Sequence, residues 1–487
     1  MDTGVLSSES AGKSPQGAQA AALKVPVCQE GEGMFAAAET ALEGGLELCY
    51  VVDAAGRLLG EVTLEDTRRA IRSGAYRQPL TAAMLMRPCA TVLRVGEAPQ
   101  GRGAAPICDA AGRLVDVRRD PLSGFLPVAV PDLGAGELRN VADALLSTWI
   151  SSTGEYIREL EQRFADWCGV KHGVAVSNGT VSLHLAMAAL RIGPGDEVIV
   201  PDLTFAASIN TVMHVGATPV LVDVDLDSWC MTAEAFEAAI TPRTKAVMPV
   251  HVFGRPAPML EIAEIAARHG IYVIEDCAEA HGARVAGRRV GSFSHVSSFS
   301  FFANKMMTTG EGGMCLTNDD ALAERLRFLR DHGMKRDPMY WHTEAGFNFR
   351  MTNLQAAVGC AQMDRLDSFL DERRRVMALY EVAFQGIPGV ELPKPMGPGL
   401  EPVVWFACAR VPAAKRAALI AACKARAIDL RPFFHALSEM PAYTAFAQPS
   451  PQARLLSATG VNLPTLPKVD AGVAAAIADI FRAVLAN

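Results

Sequence analysis

Several features that define common protein classes are absent from this sequence of 487 residues. No stretch reaches the roughly 18 uninterrupted apolar residues of a membrane span. Residues 1–14 lack the basic segment followed by an apolar one that marks a signal peptide. Lysine and arginine are dispersed and the net charge is −7, which argues against binding to nucleic acid or to an anionic membrane surface. We therefore expect a cytoplasmic protein whose partners are small molecules or other protein subunits.

Cysteine usage argues against a redox or metal-binding role. The chain has 11 cysteines, an odd number, and none of them stands in a Cys-x-x-Cys pair. Most lie within apolar runs, where a free thiol behaves as a small hydrophobic side chain. We expect reduced cysteines in the core and no bound metal.

The sequence does have enough apolar side chains for several domains. Hydrophobic residues make up 50% of the chain and charged residues 20%, and at ~150 residues per domain the length suggests about three domains or two unequal ones. Residues 1–24 are rich in Ser, Gly, Ala and Gln and are predicted to form a disordered tail. We expect folded domains over residues 25–124, 126–365 and 366–487.

The first of these domains contains an internal repeat. The sequence Asp-Ala-Ala-Gly-Arg-Leu occurs at residues 53–58 and again at 109–114, and an apolar strand precedes each copy. In the first copy the pattern predicts strands at 48–52 and 58–63, joined by a turn, and a helix at 64–73. Two copies of one small α+β unit are therefore expected.

The first copy resembles a CBS domain, and two such copies resemble the paired arrangement called a Bateman module. The resemblance rests on the strand, turn, strand and helix order and on Gly-Glu-Val-Thr-Leu-Glu-Asp at residues 60–66. It implies that Thr63 and Asp66 hold the ribose of an adenine nucleotide. The alternative is a docking or oligomerisation domain in which these side chains cap a helix. Residues 116–122 of the second copy lack the matching Gly, Thr and Asp, so we expect at most one nucleotide site.

Beyond residue 124 apolar strands alternate with segments of helical spacing. This pattern predicts an α/β fold with a mostly parallel sheet covered by helices on both faces, followed by a smaller C-terminal α/β domain. The predicted strands of the sheet are residues 173–177, 197–201, 218–223, 246–251, 271–276 and 296–300. The predicted flanking and C-terminal helices are residues 137–149, 156–168, 321–330, 353–374 and 415–427, with a strand at 403–411.

Ligands of open α/β sheets bind beyond the carboxyl ends of the strands, so the polar residues that follow each strand are the first candidates for a site. Ser-Asn-Gly-Thr at 177–180 follows a strand and opens a helix, as in a phosphate cradle. Asp276 ends the most apolar strand and suits a cationic ring nitrogen. Lys305 follows an apolar strand among aromatic and Met residues, where desolvation lowers the pKa of an amine and frees it for Schiff-base chemistry. Taken singly, these residues also suit helix caps and a surface charge.

Together these motifs resemble the pyridoxal-phosphate enzymes of the aspartate aminotransferase fold, known as fold type I. Within that fold the chain resembles the DegT/DnrJ-type sugar aminotransferases over nearly all of residues 126–487. The motifs that carry the resemblance are residues 149–154, 177–184, 195–201, 275–282, 308–313 and 346–353. The resemblance implies pyridoxal 5′-phosphate as the cofactor.

The resemblance also implies a role for individual residues. Lys305 is the lysine that binds the cofactor covalently, and Asp276 is the partner of its ring nitrogen. Glu279 lies near the phenolic oxygen of the cofactor, and Phe205 stacks on its ring. The residues implied as phosphate ligands are Gly179, Thr180 and Ser300.

Three further residues complete the implied site. Asn348 reaches the phosphate bound by a neighbouring subunit, which makes a homodimer with shared active sites necessary for catalysis. Arg431 and His435 belong to a segment that lines the sugar site. The family commonly has Pro after this His, where the chain has Ala436, and often His where the chain has Leu466, so the identity of the sugar is left open.

The implied reaction is transfer of an amino group from L-glutamate to a nucleotide-linked keto sugar. Within the family the motifs are most similar to those of the GDP-perosamine synthases, which aminate the C4 ketone of a GDP-linked 4-keto-6-deoxy sugar. Alternatives are enzymes that act on another keto sugar or a cyclitol, or that make aromatic amines. Sugar dehydratases of the family carry His in place of the lysine, so Lys305 argues against that activity. A non-catalytic nucleotide-sensing regulator is a further alternative, although such proteins tend to lose the lysine or the aspartate.

Overall fold

The computed structural model describes residues 25–43, 47–97, 104–118, 125–335 and 337–486. The predicted tail, residues 1–24, lies outside the described residues. The chain divides after Arg118 into a smaller N-terminal unit and a larger unit. No described helix has both the length and the apolar character that a membrane span requires.

The N-terminal unit contains two small sheets with the same strand pattern. Each sheet has three strands, the first pair parallel and the second antiparallel. The elements of the first half are β1 Val27–Gln29, α1 Met34–Glu43, β2 Leu48–Val52, β3 Leu58–Thr63 and α2 Leu64–Ser73. Those that follow are α3 Ala82–Leu85, β4 Leu93–Arg94, β5 Ala105–Cys108 and β6 Leu114–Arg118. The predicted bounds of β2, β3 and α2 are confirmed.

The repeated hexapeptide forms the same turn in both halves. In the first copy the Asp53 side chain accepts hydrogen bonds from the backbone N–H groups of Ala55 and Arg57, each at 2.9 Å. Asp109 accepts the equivalent bonds from Ala111 and Arg113. Asp side chains commonly bond the backbone two residues on in such turns, which explains why this sequence occurs at both places.

The two turns pair with each other through backbone bonds. The N–H of Leu58 donates to Gly112 O at 3.0 Å, and the N–H of Leu114 donates to Gly56 O at 3.1 Å. The equivalent residues of the two copies therefore exchange equivalent bonds, so the two halves are related by an approximate two-fold axis.

The larger unit is built on a seven-stranded sheet with the strand order β7-β15-β14-β11-β10-β8-β9. Its strands are β7 His172–Val176, β8 Glu197–Pro201, β9 Thr218–Val222, β10 Thr244–Val247, β11 Tyr272–Asp276, β14 Val296–Ser300 and β15 Gly313–Thr317. The short strands β12 Arg284–Val285 and β13 Arg288–Arg289 lie outside this sheet. Among these strands β15 alone runs in the direction opposite to the other six, so the predicted mostly parallel sheet is confirmed.

The strand predicted at residues 246–251 is too long. The observed strand ends at Val247, and Pro249, two residues on, has no N–H to donate to a neighbour. The chain beyond it remains close to the sheet, because the N–H of Asp276 donates to Pro249 O at 2.9 Å and the N–H of His251 donates to Asp276 O at 3.1 Å. Residues 248–251 therefore lead from the sheet to the carboxyl end of β11.

Helices surround the sheet, and the later part of the unit adds a second small sheet. The helices before and around the large sheet are α4 Ala135–Leu146, α5 Glu155–Cys168, α6 Gly179–Ala189, α7 Ala207–His214, α8 Ala233–Ala238, α9 Met259–His269 and α10 Asp320–Arg330. Later elements are β16 Met334–Lys335, β17 Trp341–His342, α11 Asn353–Ala383, β18 Leu400–Glu401, β19 Ala407–Arg410, α12 Ala413–Lys424, β20 Arg431–Pro432, α13 Pro451–Thr459, β21 Gly460–Leu463 and α14 Ala471–Leu485. The second sheet has the order β19-β21-β20.

The long helix α11 joins the two parts of the larger unit. It starts with a capping box in which Thr352 and Gln355 satisfy each other's backbone N–H groups. The helix is nine residues longer than the predicted 353–374, and the expected domain boundary between residues 365 and 366 falls inside it. The helix continues past this boundary because the apolar spacing is not interrupted there. Leu366, Phe369 and Leu370 are all buried.

Candidate active site

A buried carboxylate lies at the carboxyl end of the central strand β11. Asp276 is 5% exposed, and its Oδ2 accepts a hydrogen bond of 2.9 Å from the Ser208 hydroxyl. Its Oδ1 accepts a bond of 3.2 Å from the backbone N–H of Ala278. Burial raises the pKa of Asp276 above its ordinary value, and the bond from Ser208 opposes that shift. The site therefore holds a carboxylate that a nearby cation would stabilise.

An amine and a second carboxylate lie next to Asp276. Lys305 Nζ is 3.5 Å from Glu279 Oε1, and Glu279 Oε2 accepts a 2.8 Å bond from the backbone N–H of Phe253. Burial raises the pKa of Glu279 to about 7, although the nearby lysine opposes the shift. Burial also lowers the pKa of Lys305, as the sequence predicts, while Glu279 opposes it. Such an amine releases its proton more readily than a lysine side chain in water.

The start of helix α6 and the end of strand β14 form a narrow cradle. A Cβ atom at Gly179 would lie 2.7 Å from the Cβ of Ser300, so only glycine fits there. Asn178 caps the helix by accepting a 2.9 Å bond from the N–H of Val181. The first N–H groups of a helix, here those of Gly179 and Thr180, have no partner within the helix, and they attract anions. The structure thus brings together Gly179, Thr180 and Ser300.

A row of aromatic rings links the other predicted residues to Lys305. The exposed Phe205 lies 5.8 Å from the ring of Phe434, which stacks on Phe253 with a centroid distance of 5.1 Å. Phe253 in turn stacks on Trp405 at 6.0 Å. The Trp405 ring lies under Lys305 Nζ, 3.9 Å from the ring centroid. Phe205 is therefore connected to the cluster through rings that the sequence analysis did not select.

Four residues of this site, Ser208, Phe253, Trp405 and Phe434, were missed by the sequence analysis. Phe434 lies between the predicted Arg431 and His435. Ser208 lies three residues after Phe205, near the start of α7, so its position on the helix is a usable signal. Phe253 has a φ of 51°, a left-handed conformation that is uncommon for a bulky residue and is often associated with functional sites. Trp405 is 100 residues from Lys305 along the chain, and no local pattern pairs the two.

The structure does not place the remaining predicted residues in this cluster. Asn348 is exposed and accepts a 3.0 Å hydrogen bond from Arg350 Nε. Its neighbour Phe349 reaches the cradle, since Phe349 O accepts a 2.8 Å bond from the N–H of Ser177. Arg431 pairs with Asp429 at 3.0 Å, and His435 is exposed. Phe434, next to His435, connects this segment to the aromatic row.

In the N-terminal unit, Thr63 and Asp66 form a capping box at the start of α2. The backbone N–H of Asp66 donates to the Thr63 hydroxyl oxygen at 3.2 Å, and that hydroxyl donates to Asp66 Oδ2 at 2.6 Å. Asp66 Oδ2 also accepts from the backbone N–H of Thr63 at 3.0 Å. Both side chains therefore act as the helix cap that the alternative interpretation proposes.

The sequence pattern of the DegT/DnrJ/EryC1/StrS aminotransferase family matches residues 131–482. The GDP-perosamine synthase of Caulobacter vibrioides is 47% identical over 345 residues, which are 70% of this chain and 93% of that protein. The structure of DesV from S. venezuelae is 38% identical with a TM-score of 0.68, over 72% of this chain and 94% of that one. Spr1654 of Streptococcus pneumoniae in its PLP form is 27% identical with a TM-score of 0.70, over 74% and 99%.

These matches confirm the resemblance that the motifs indicate. They cover the larger unit, which carries the lysine, both carboxylates, the cradle and the aromatic row. A match over residues 131–482 takes in more than half of the sequence. The chain therefore belongs to the DegT/DnrJ/EryC1/StrS aminotransferase family.

Proposed function

We propose that this enzyme transfers an amino group from L-glutamate to the C4 ketone of a GDP-linked 4-keto-6-deoxy sugar. As a member of its family it is a sugar aminotransferase that uses pyridoxal 5′-phosphate. The choice of sugar is supported by the 47% identity to a GDP-perosamine synthase. The observation that carries the proposed chemistry is the contact of Lys305 with Glu279 beside the buried Asp276.

The residues of the cluster fit this cofactor. Gly179 lies so close to Ser300 that a Cβ atom at residue 179 would collide with it. The N–H groups at the start of α6 are available to a phosphate. Burial raises the pKa of Asp276, and the neighbouring groups offset this shift only in part. A protonated ring nitrogen would supply the missing positive charge. We assign Gly179, Thr180 and Ser300 to the phosphate, Asp276 to the ring nitrogen and Phe205 to the ring face.

When bound, pyridoxal phosphate stores the amino group between the two halves of the reaction. In the proposal Lys305 is the proton carrier, because its amine has a lowered pKa and is held at the Glu279 carboxylate. Glu279 is fixed from its other oxygen by the N–H of Phe253. A carboxyl group with a pKa of about 7 exchanges protons readily with such an amine. Arg431 and His435 are proposed to contact the sugar nucleotide.

The proposal includes a homodimer in which Asn348 completes the partner's site. Asn348 is exposed, outside the cluster of its own chain, yet Phe349 beside it bonds to Ser177 at the cradle. Leu146, just before the family motif at residues 149–154, and Trp149 and Ile150 within that motif are exposed apolar side chains. Exposed apolar side chains of this kind support contact with a second copy of the chain. Location in the cytoplasm is part of the same proposal.

An adenine nucleotide at Thr63 and Asp66 is also a proposal. The carboxylate of Asp66 lies at the start of α2, where the helix dipole favours its ionised form, which accepts hydrogen bonds. The bonds from Thr63 end on Oδ2, and Oδ1 lies 3.7 Å from Arg69. A ribose hydroxyl is therefore proposed to donate to Oδ1 while Oδ2 keeps the cap.

The test of the main proposal uses the purified enzyme with its cofactor converted to the amino form by L-glutamate. GDP-linked 4-keto-6-deoxymannose should restore the absorbance of the aldehyde form, with one amino sugar produced per site. The dTDP- and UDP-linked 4-keto sugars serve as controls and should react at least tenfold more slowly. Faster reaction with either control would overturn the assignment of the GDP sugar.

A further inference from the structure

The environment of the Lys305 amine includes one aromatic face that the proposed chemistry does not use. Trp405 is 3% exposed, and its ring centroid is 3.9 Å from Lys305 Nζ. The carboxylate of Glu279 is 3.5 Å from the same nitrogen. The amine therefore has both a ring face and a carboxylate as neighbours. An ammonium group is stabilised by the face of an indole, and the effect is largest where water is excluded.

Two hydrogen bonds tie the indole and its backbone to the lysine segment. The Trp405 Nε1–H donates to Asn304 O at 2.8 Å, one residue before the lysine. Arg373 on helix α11 donates through Nη2 to Lys305 O at 3.2 Å and through Nη1 to Trp405 O. A planar guanidinium can hold two acceptors at a fixed separation, which a single ammonium cannot do. The backbone of the lysine and the backbone of the tryptophan are thus connected by one side chain.

Two phenylalanine rings also pack against the indole of Trp405. Phe253 stacks on Trp405 with an interplanar angle of 15°, and Phe406 stacks on it with a centroid distance of 4.0 Å. These contacts, with the bond to Asn304, leave the indole little freedom to turn. The ring position is therefore set by its surroundings and not by the lysine alone.

We propose that Trp405 is a positioning residue that holds the Lys305 amine opposite Glu279, and that Arg373 fixes Trp405 in that role. The inference rests on the role of Lys305 in the proposed function. While the amine is free of the cofactor, the ring face keeps it within reach of the carboxylate and favours its ammonium form. The lysine is thereby retained near the reacting atoms between the two halves of the reaction.

The test measures the titration of the Lys305 amine in protein freed of cofactor. Competitive labelling with acetic anhydride over a range of alkaline pH, read by mass spectrometry against the exposed Lys424, gives the pKa of the single amine. The ionisable groups that face Lys305 are Glu279, Asp276, His281 and Arg373, and both tryptophan variants keep all four. The variants are Trp405→Leu, which removes the ring, and Trp405→Phe, which keeps a ring face.

Loss of the ring face should lower the pKa of Lys305 by about one unit in Trp405→Leu, a tenfold change in the ratio of amine to ammonium. Trp405→Phe should lower it by less than half as much. If Trp405 had only a structural role, its removal would raise the pKa of Lys305. The loosened site would admit water, and burial is what lowers this pKa. An unchanged or raised pKa in Trp405→Leu would overturn the proposal.

Two further variants control for folding and for the role of Arg373. Trp167 has matched interactions elsewhere, with Arg289 over its ring at 4.2 Å and its Nε1–H on Asp367, so Trp167→Phe should leave the Lys305 titration unchanged. Arg373→Lys keeps the charge but cannot hold both carbonyl groups, and it should lower the pKa in the same direction as Trp405→Leu. If the pKa shifts of Trp405→Leu and Arg373→Lys add fully in the double variant, Arg373 does not act through Trp405, and the role proposed for Arg373 is wrong.

Failure of this inference can be told apart from failure of the proposed function. If reduction of the loaded enzyme with borohydride fixes the cofactor on Lys305, the function stands whatever the titration shows. If Trp405→Leu fails to fold by circular dichroism, Trp405→Phe and Arg373→Lys decide the inference: no shift in either would overturn it.

Discussion

The amine of Lys305 and the carboxylate of Glu279 lie 3.5 Å apart in a site from which water is largely excluded. Burial moves the pKa of the carboxyl up to about 7 and that of the amine down. The two groups therefore hold their protons with more similar affinity than they would in water. This closer match lowers the cost of moving a proton between them, which suits the proposed role of Lys305 as base and acid in turn.

Lys305→Ala should abolish amino transfer, because in the proposed function Lys305 is both the attachment point of the cofactor and the proton carrier. We expect at least a thousandfold loss of kcat, with near-normal circular dichroism. Lys305→Arg retains a positive charge and should be equally inactive. Reduction of the wild-type enzyme with borohydride, followed by peptide mapping, should label Lys305, and a label on any other lysine would contradict the assignment.

Glu279 should give the cofactor-free protein a characteristic dependence of stability on pH. Its folded pKa of about 7 exceeds its ordinary value, so the folded state keeps a proton that the unfolded state releases. The stabilisation from this group is complete below about pH 4.5 and is lost as the pH rises through 7. Urea unfolding of Glu279→Gln should lack this decline, whereas the wild type should show it. Parallel curves for the two proteins would contradict the expectation.

Gly179→Ala should weaken the binding of pyridoxal phosphate by at least about tenfold. The added Cβ would lie 2.7 Å from the Cβ of Ser300, so the cradle must widen before a phosphate can enter. Equilibrium dialysis measures the change. A matched control is Gly397→Ala, where a Cβ would meet nothing within 4 Å, and its affinity for the cofactor should equal that of the wild type. Equal affinity in Gly179→Ala would exclude the cradle as the phosphate site.

Two inactive variants should restore part of each other's activity if active sites are shared. Lys305→Ala and Asn348→Ala, mixed and allowed to exchange subunits, would form a heterodimer with one intact site. Up to about a quarter of wild-type activity is expected after full exchange, since half of the dimers are mixed and each has one working site. No recovery, with exchange confirmed by native mass spectrometry, would mean that each site is built within a single chain.

An adenine nucleotide at the N-terminal unit should bind the full-length protein with one molecule per chain. Asp66→Ala should weaken AMP or ATP binding by at least ~1.5–3 kcal/mol, the contribution of a charge-assisted hydrogen bond. The same substitution also removes a helix cap, so circular dichroism must show that Asp66→Ala keeps the wild-type fold before weaker binding is assigned to the ribose contact. Calorimetry that detects no binding of either nucleotide would leave Thr63 and Asp66 with the capping role alone.

The sequence predicts local structure well where a periodic pattern is uninterrupted. The bounds of β3 and α2 follow from alternation that switches to helical spacing at Thr63, and Asp276 is found at the strand end where a ligand-binding carboxylate is expected. Trp405 could not be predicted because its partner Lys305 is 100 residues away and its ring position depends on Phe253 and Arg373. The strand predicted to reach His251 also depends on residues distant in the sequence. It ends at Val247 because Pro249 follows and because residues 249–251 bond to the end of β11.

The two repeated turns of the N-terminal unit are joined by main-chain hydrogen bonds, from Leu58 to Gly112 and from Leu114 to Gly56. Bonds of this kind do not depend on the identity of the side chains, provided that each Asp still shapes its own turn. One copy can therefore accumulate substitutions outside its turn while the hydrogen bonds between the two turns are kept. This explains how residues 116–122 can diverge from the first copy while both halves keep the same sheet, so that duplication followed by loss of one copy's binding motif is structurally tolerated.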